Sequence, residues 1–176
     1  AMHTGDKPDR ACIPFDVERS GMVMGEGAGI LVLEGLEHAL KRKAPILGEI
    51  IGYGANCDAF NIVSPELEGK TISKAINKAI DDSGVNKTSI QYVNAHGTAT
   101  ILNDKTEARA IHNVFGDHTK DVLISSTKSM TGHALGASGA IEAIVCIKAL
   151  QDNFIPATIN YLKPDPECDL NLVINQ

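Results

Sequence analysis

No hydrophobic run in this sequence is long enough to cross a bilayer. The longest apolar stretch, Ala140 to Leu150, is interrupted by Glu142 and Lys148 and falls well short of the roughly 20 residues a spanning helix needs. No basic-then-apolar signal segment precedes Cys12. Clustered lysine and arginine are missing, and with a formal net charge of −6 this argues against a nucleic-acid surface, which needs concentrated positive charge. Cys12, Cys57, Cys146 and Cys168 make no C-x-x-C pair and have no histidine at finger-like spacing, so neither a zinc site nor a redox motif is indicated. They read as reduced cytoplasmic thiols, with Cys146 a small core hydrophobe on a helix of Ala, Ile and Val. No repeat of roughly 20 to 50 residues is found.

What is present is the composition of one globular domain: 176 residues, 43% apolar and 22% charged, enough for a real core. Residues 1–14 read as polar loop. "GMVMGEGAGILVLE" (21–34) predicts a hairpin or bulged strand pair joined by glycines, followed by a short helix over 35–43. "ILGEIIGYGA" (46–55) predicts a strand. "GKTISKAINKAIDDSG" (69–84) places Ile72, Ala75, Ile76, Ala79 and Ile80 at helical spacing with Gly84 as a stop. "SIQYVNA" (89–95) reads as a strand, "DKTEARAIHNVF" (104–115) as a helix and "DVLISST" (121–127) as a strand. Residues 132–152 form a helix apolar on most of its circumference, and "FIPATIN" (154–160) and "LNLVINQ" (170–176) are closing strands. Strands alternating with helices define an α/β domain. A helix without a polar face is expected to be buried on all sides, between layers.

Two histidines stand apart. His3, His38, His112 and His118 lie in polar loop or helix-face contexts and read as solvated. His96 follows directly on an apolar strand, at the carboxyl end where open α/β sheets place ligands, and His133 falls in the next strand-to-helix turn. Two imidazole N–H groups can converge on one oxygen where negative charge develops. At the start of a helix, His133 would feel the positive end of the macrodipole, which favours the neutral ring. Lys128 can supply positive charge, and Glu142 on the apolar helix is its expected partner, since a buried carboxylate left alone is costly. "GHALGASG" has the spacing G-x-x-x-G-x-x-G and is not a dinucleotide fingerprint. A metal site from His96, His133 and Asp104 would lack any short-spaced ligand pair. Periodicity and spacing alone reach an α/β enzyme domain that stabilises an oxyanion.

"VNAHGTAT" with "NDKTEA", and "SSTKSMTGHALGASG" followed by Glu142, resemble the two signature segments in the C-terminal half of the β-ketoacyl-acyl carrier protein synthases, the condensing enzymes of fatty acid synthesis. "PFDVERSGMVMGEGAGILVLE" resembles the segment just before that half. The similarity runs from about Ile13 to Asp169 and is nearest the bacterial elongating type. It implies a thiolase-like layered α-β-α-β-α sandwich. Residues 1–44 would be the end of the N-terminal half and 45–176 the C-terminal half, stopping before the family's final gating loop. His96 and His133 would donate to the thioester oxygen while malonyl-carrier loses carbon dioxide. Lys128 would hold the network through Glu142, with Asp104 and Glu107 as further partners, and Thr98 and Thr100 would contact the phosphopantetheine arm.

The resemblance further implies no bound cofactor or metal, an acyl carrier protein as partner, and a homodimer. The family's nucleophilic cysteine belongs to the N-terminal half, and none of the four cysteines here stands in its context, so this chain is expected to be inactive alone. Ile101 stands where the family often has proline, and Asn61 and Val63 replace a common His and Thr. Three rival readings share parts of this pattern: a polyketide ketosynthase domain, a non-catalytic ketosynthase-like subunit, and a metal-dependent hydrolase using His96 and His133.

Overall fold

A computed structural model describes residues 2–175. Gln176, the last residue of the expected closing strand, lies outside them, as does Ala1. The elements in chain order are α1 (Leu36–Lys41), α2 (Lys70–Ser83), β1 (Tyr92–Asn94), α3 (Ile101–Phe115), β2 (Leu123–Ser125), α4 (Lys128–Thr131) and α5 (Ser138–Asp152), with short 3-10 turns between them. β1 and β2 pair in parallel, with Tyr92 opposite Leu123 and Asn94 opposite Ser125. The two closing segments extend this order as single parallel bridges, Ile124 to Leu172 and Thr158 to Ile174.

The core lies between α3 and this small sheet. Phe15, Ala108, Ile111, Val114, Phe115, Val122, Ile124 and Cys168 are all buried there, and α2 lays its Ile76 and Ile80 against the same cluster. α3 begins three residues before the expected start. The Thr100 hydroxyl accepts from the Asn103 amide at 3.3 Å and satisfies one of the orphan donors of the first turn, a cap that the apolar periodicity does not reveal.

Three expectations are corrected. The glycine-rich stretch 21–34 is not a hairpin: it runs extended, bridging Met2 at Met22 and His133 at Met24, with no ladder beyond. Its glycines allow close approach instead, since a Cβ at Gly29 would come within 2.9 Å of the Ala140 side chain on α5. Segment 46–55 likewise forms no ladder among the described residues. It lies along α2, where the Tyr53 amide donates to Asp82 at 2.9 Å. The apolar helix starts at Ser138, not Gly132, because Leu135 adopts φ 48°, outside the helical region. Ser138 is its one buried residue and Leu150 is 75% exposed, so within this chain α5 is not enclosed on all sides.

The N-terminal loop is tied to the rest by charge. Asp16, fully buried, accepts from the amides of Glu18, Leu162 and Lys163. Arg19 is 4% exposed and sits between Asp165 at 2.6 Å and Asp104 at 3.6 Å, while its guanidinium also donates to the carbonyls of Asp16 and Ile101. Breaking a buried pair strands the remaining charge at a cost of about 3–5 kcal/mol. Arg19→Met is therefore expected to destabilise the protein by about that amount in urea unfolding; a loss below about 1 kcal/mol would mean that these carboxylates do not depend on Arg19.

Candidate active site

β1 ends at Asn94, and the chain turns immediately so that His96 leaves the carboxyl end of the strand. That turn is held from beneath by Glu107 of α3, whose carboxylate accepts from the amides of His96 at 2.6 Å and Gly97 at 2.8 Å. β2 ends at Ser125, and the hydroxyl-rich "SSTKS" that follows is stitched in place. Ser126 donates to the Gly97 carbonyl at 2.7 Å, and the Ser129 hydroxyl accepts from the Ile159 amide at 3.0 Å. The turn carries Lys128 into the interior, where it is 1% exposed and ion-paired with Glu142 of α5. The Cys12 thiol donates to the Lys128 carbonyl at 2.9 Å.

His133 is pinned on both sides of its backbone by the extended glycine-rich segment. Its amide donates to Val23 at 2.7 Å and its carbonyl accepts from Gly25 at 3.1 Å. A Cβ at Gly25 would lie 2.2 Å from the Thr131 carbonyl, so only glycine lets the segment pass there. The two loops bring the imidazoles together edge to face, with ring centroids 5.2 Å apart at 86°. Left-handed backbone at Ala99 (φ 64°) and Leu135 (φ 48°) marks both loops as strained, a condition that clusters at functional sites.

The electrostatics keep both rings neutral. Desolvation first, then Lys128, then the neighbouring His133 push the His96 pKa down to about 4; the ring keeps access to solvent in this chain, and the consequence that matters is its neutrality at pH 7. His133 is lowered by desolvation and then by Lys128, against an opposing pull from Glu142. Burial raises Glu107 to about 7 against the two amides that favour its charge. Two neutral imidazoles backed by a buried cation are donors suited to an oxygen that gains negative charge.

The structure thus unites four of the expected residues, His96, His133, Lys128 and Glu142, and moves others. Asp104 does not pair with Lys128: fully buried, it faces Arg19 and accepts from the Phe15 amide at 2.8 Å. Glu107 bonds the His96 turn and not the lysine head group. The hydroxyls of Thr98 and Thr100 lie 3.1 Å apart. His133 does not open α5; it precedes it by five residues, and its Nδ1 meets the Ser138 hydroxyl at 3.0 Å. Ser138, Arg19 and Cys12 join the expected residues here, and in the sequence only the density of hydroxyls after β2 signals such a network. Among the other histidines, His38 and His112 are exposed, but His3 and His118 are half-buried, bonded to Ser20 and Asp121.

Three thiols are poor nucleophiles: Cys12 is raised to about 11 and Cys168 to about 12, both by burial, and Cys146 is raised by the same cause. Cys57 is exposed.

The chain belongs to the beta-ketoacyl synthase family: the family's C-terminal domain matches residues 47–162 and its N-terminal domain residues 1–39. Curated relatives include 3-oxoacyl-[acyl-carrier-protein] synthase 2 of Synechocystis, 51% identical over 97% of this chain and 41% of the relative. The Staphylococcus aureus enzyme of the same name is 51% identical over 100% of this chain and 44% of its own length. The chain therefore spans less than half the length of these relatives. Among solved structures, a type II PKS acyl-carrier protein in complex with its ketosynthase matches with a TM-score of 0.97 at 38% identity, over 100% of this chain and 44% of that one. A Burkholderia phymatum beta-ketoacyl synthase matches at 0.90 and 38%, over 99% and 43%. The layered α/β, thiolase-like fold is theirs.

The field of Lys128 has a direct readout. Lys128→Met removes a positive charge that disfavours imidazolium at both rings, so the histidine pKa values are expected to rise toward the ordinary 6.5, His96 the more clearly. Side-chain NMR titration checks this; unmoved His96 and His133 titrations would show that Lys128 does not act on them.

Proposed function

We propose that the full-length protein catalyses the decarboxylative Claisen condensation of fatty acid elongation. An acyl group is held as a thioester on a cysteine outside this segment. A malonyl thioester on an acyl carrier protein then loses carbon dioxide, and the electrons of the broken C–C bond pass into an enolate. The enolate carbon attacks the acyl carbonyl, the C–S bond to the cysteine breaks, and the thiolate leaves. His96 and His133 donate to the malonyl thioester oxygen as it becomes an enolate. The observation that carries this reading is the edge-to-face imidazole pair at 5.2 Å beside the buried Lys128–Glu142 pair.

The names of the curated relatives favour fatty acid elongation over polyketide assembly, and a carrier-protein partner is supported by the ketosynthase complex of the same fold. Keeping Lys128 and both histidines speaks against a non-catalytic subunit. The metal-hydrolase alternative loses its third ligand, because Asp104 turns to Arg19. Among the described residues no helix is long and apolar enough to cross a membrane, and we place the protein in the cytoplasm as a homodimer. The pantetheine arm arrives on the carrier, near Thr98 and Thr100, and no resident cofactor is needed.

In the full-length protein, His96→Ala and His133→Ala are each expected to lower malonyl decarboxylation by roughly a hundredfold or more, the scale of losing one oxyanion donor, while a cysteine-directed label still reacts. Undiminished decarboxylation in both variants would sink the assignment.

A further inference from the structure

We infer that Ser138 is a positioning residue that fixes His133 in the tautomer bearing its proton on Nε2, so that His133 meets the reacting oxygen as a donor. Ser138 is 7% exposed and is the first residue of α5. Its hydroxyl lies 3.0 Å from His133 Nδ1 and has no other side-chain or backbone partner among the described residues. The His133 backbone is already immobilised through Val23 and Gly25, so this contact fixes the remaining freedom, the ring itself.

The direction of the hydrogen bond follows from the helix. A neutral imidazole has one donor and one acceptor nitrogen, and a serine hydroxyl can complement either. Were Nδ1 to carry the proton, its positive N–H end would point at the positive terminus of a 15-residue helix. With Ser138 donating, the lone pair of Nδ1 faces that terminus and the proton sits on Nε2, at the far side of the ring. His96 provides the contrast: its backbone amide is held by Glu107, but neither ring nitrogen makes a hydrogen bond among the described residues, so no neighbour selects its tautomer. The two donors of the site are unequal, one preset and one free.

The kinetic consequence rests on the condensation reading; the tautomer does not. The test uses the full-length protein with 15N-labelled histidine near neutral pH, followed by long-range 1H–15N correlation spectra and by malonyl decarboxylation. Wild type is expected to show the Nε2–H pattern at His133. Ser138→Ala, a substitution that suits a helix, should give a mixture of tautomers and lower kcat roughly tenfold with KM unchanged, and Ser138→Thr should restore both. An Nδ1–H ring in wild type, or an unchanged tautomer in Ser138→Ala, would overturn the inference, as would an altered tautomer with undiminished kcat. A wild type that decarboxylates nothing would refute the condensation reading and the donor role together, while the spectra would still decide what Ser138 does to the ring.

Discussion

The constraint on which the site depends is the burial of one positive charge. Lys128 is almost without solvent contact and is paired with Glu142 on another element. Such a pair is weak evidence for stability, since desolvating two ions offsets most of their attraction. Its effect here is on the neighbours. Burial first, and then the ammonium of Lys128, raise the cost of a second and a third positive charge on the two imidazoles, so both pKa values are lowered, that of His96 to about 4. Neutral rings keep an N–H to donate and do not attract a bulk anion. Such donors suit an oxygen that becomes negative better than one that arrives negative.

Holding that arrangement is the work of two loops and the elements beneath them. The His96 loop sits on Glu107, and the α3 that carries Glu107 is set by Asp104, which Arg19 and the Phe15 amide fix in turn. The His133 loop hangs on the extended segment at Val23 and Gly25 and on Ser138. Glu107, raised to about 7, binds more protons folded than unfolded between its ordinary value of 4.5 and 7, so its contribution to stability declines as pH rises through that window. His96, lowered to about 4, acts with the opposite sign: the unfolded state binds more protons between about 4 and 6.5, and stability rises with pH there. The two groups are joined by the hydrogen bond at the His96 amide, so the same turn carries both opposing dependences.

Much of this was legible in the sequence because the informative residues stand where local pattern is strong. His96 follows an apolar strand, Lys128 and His133 follow another, and Glu142 interrupts an apolar helix, so type and place together suggested a donor pair and its counter-charge. The partners that failed to show are distant in the chain or depend on backbone conformation. Arg19 reaches Asp165 across 146 positions, and no spacing rule connects them. Leu135 breaks the helix pattern by its φ alone, an outcome that an apolar residue in an apolar run does not announce. The glycines of 21–34 suggested turns because turns are their commonest use, whereas here they admit the backbone of α5 and of the loop after α4. The partial cover of α5 has a related reason: an apolar circumference reports the surroundings of a helix in the whole layered fold, and this chain alone supplies them on part of the surface.

The inequality of the two histidines is the step that follows from all of this. Both are neutral, but they are held at different levels: His96 through its backbone only, His133 through backbone and ring. A donor fixed before charge develops contributes without reorganisation, whereas a ring without a hydrogen-bond partner can turn to meet an acceptor whose position varies. Edge-to-face packing at 5.2 Å suits that division, since the edge of one ring can pivot against the face of the other without losing contact. In this geometry His133 is held through backbone and ring and His96 through its backbone alone, while burial first and the Lys128 ammonium second disfavour the charged form of both.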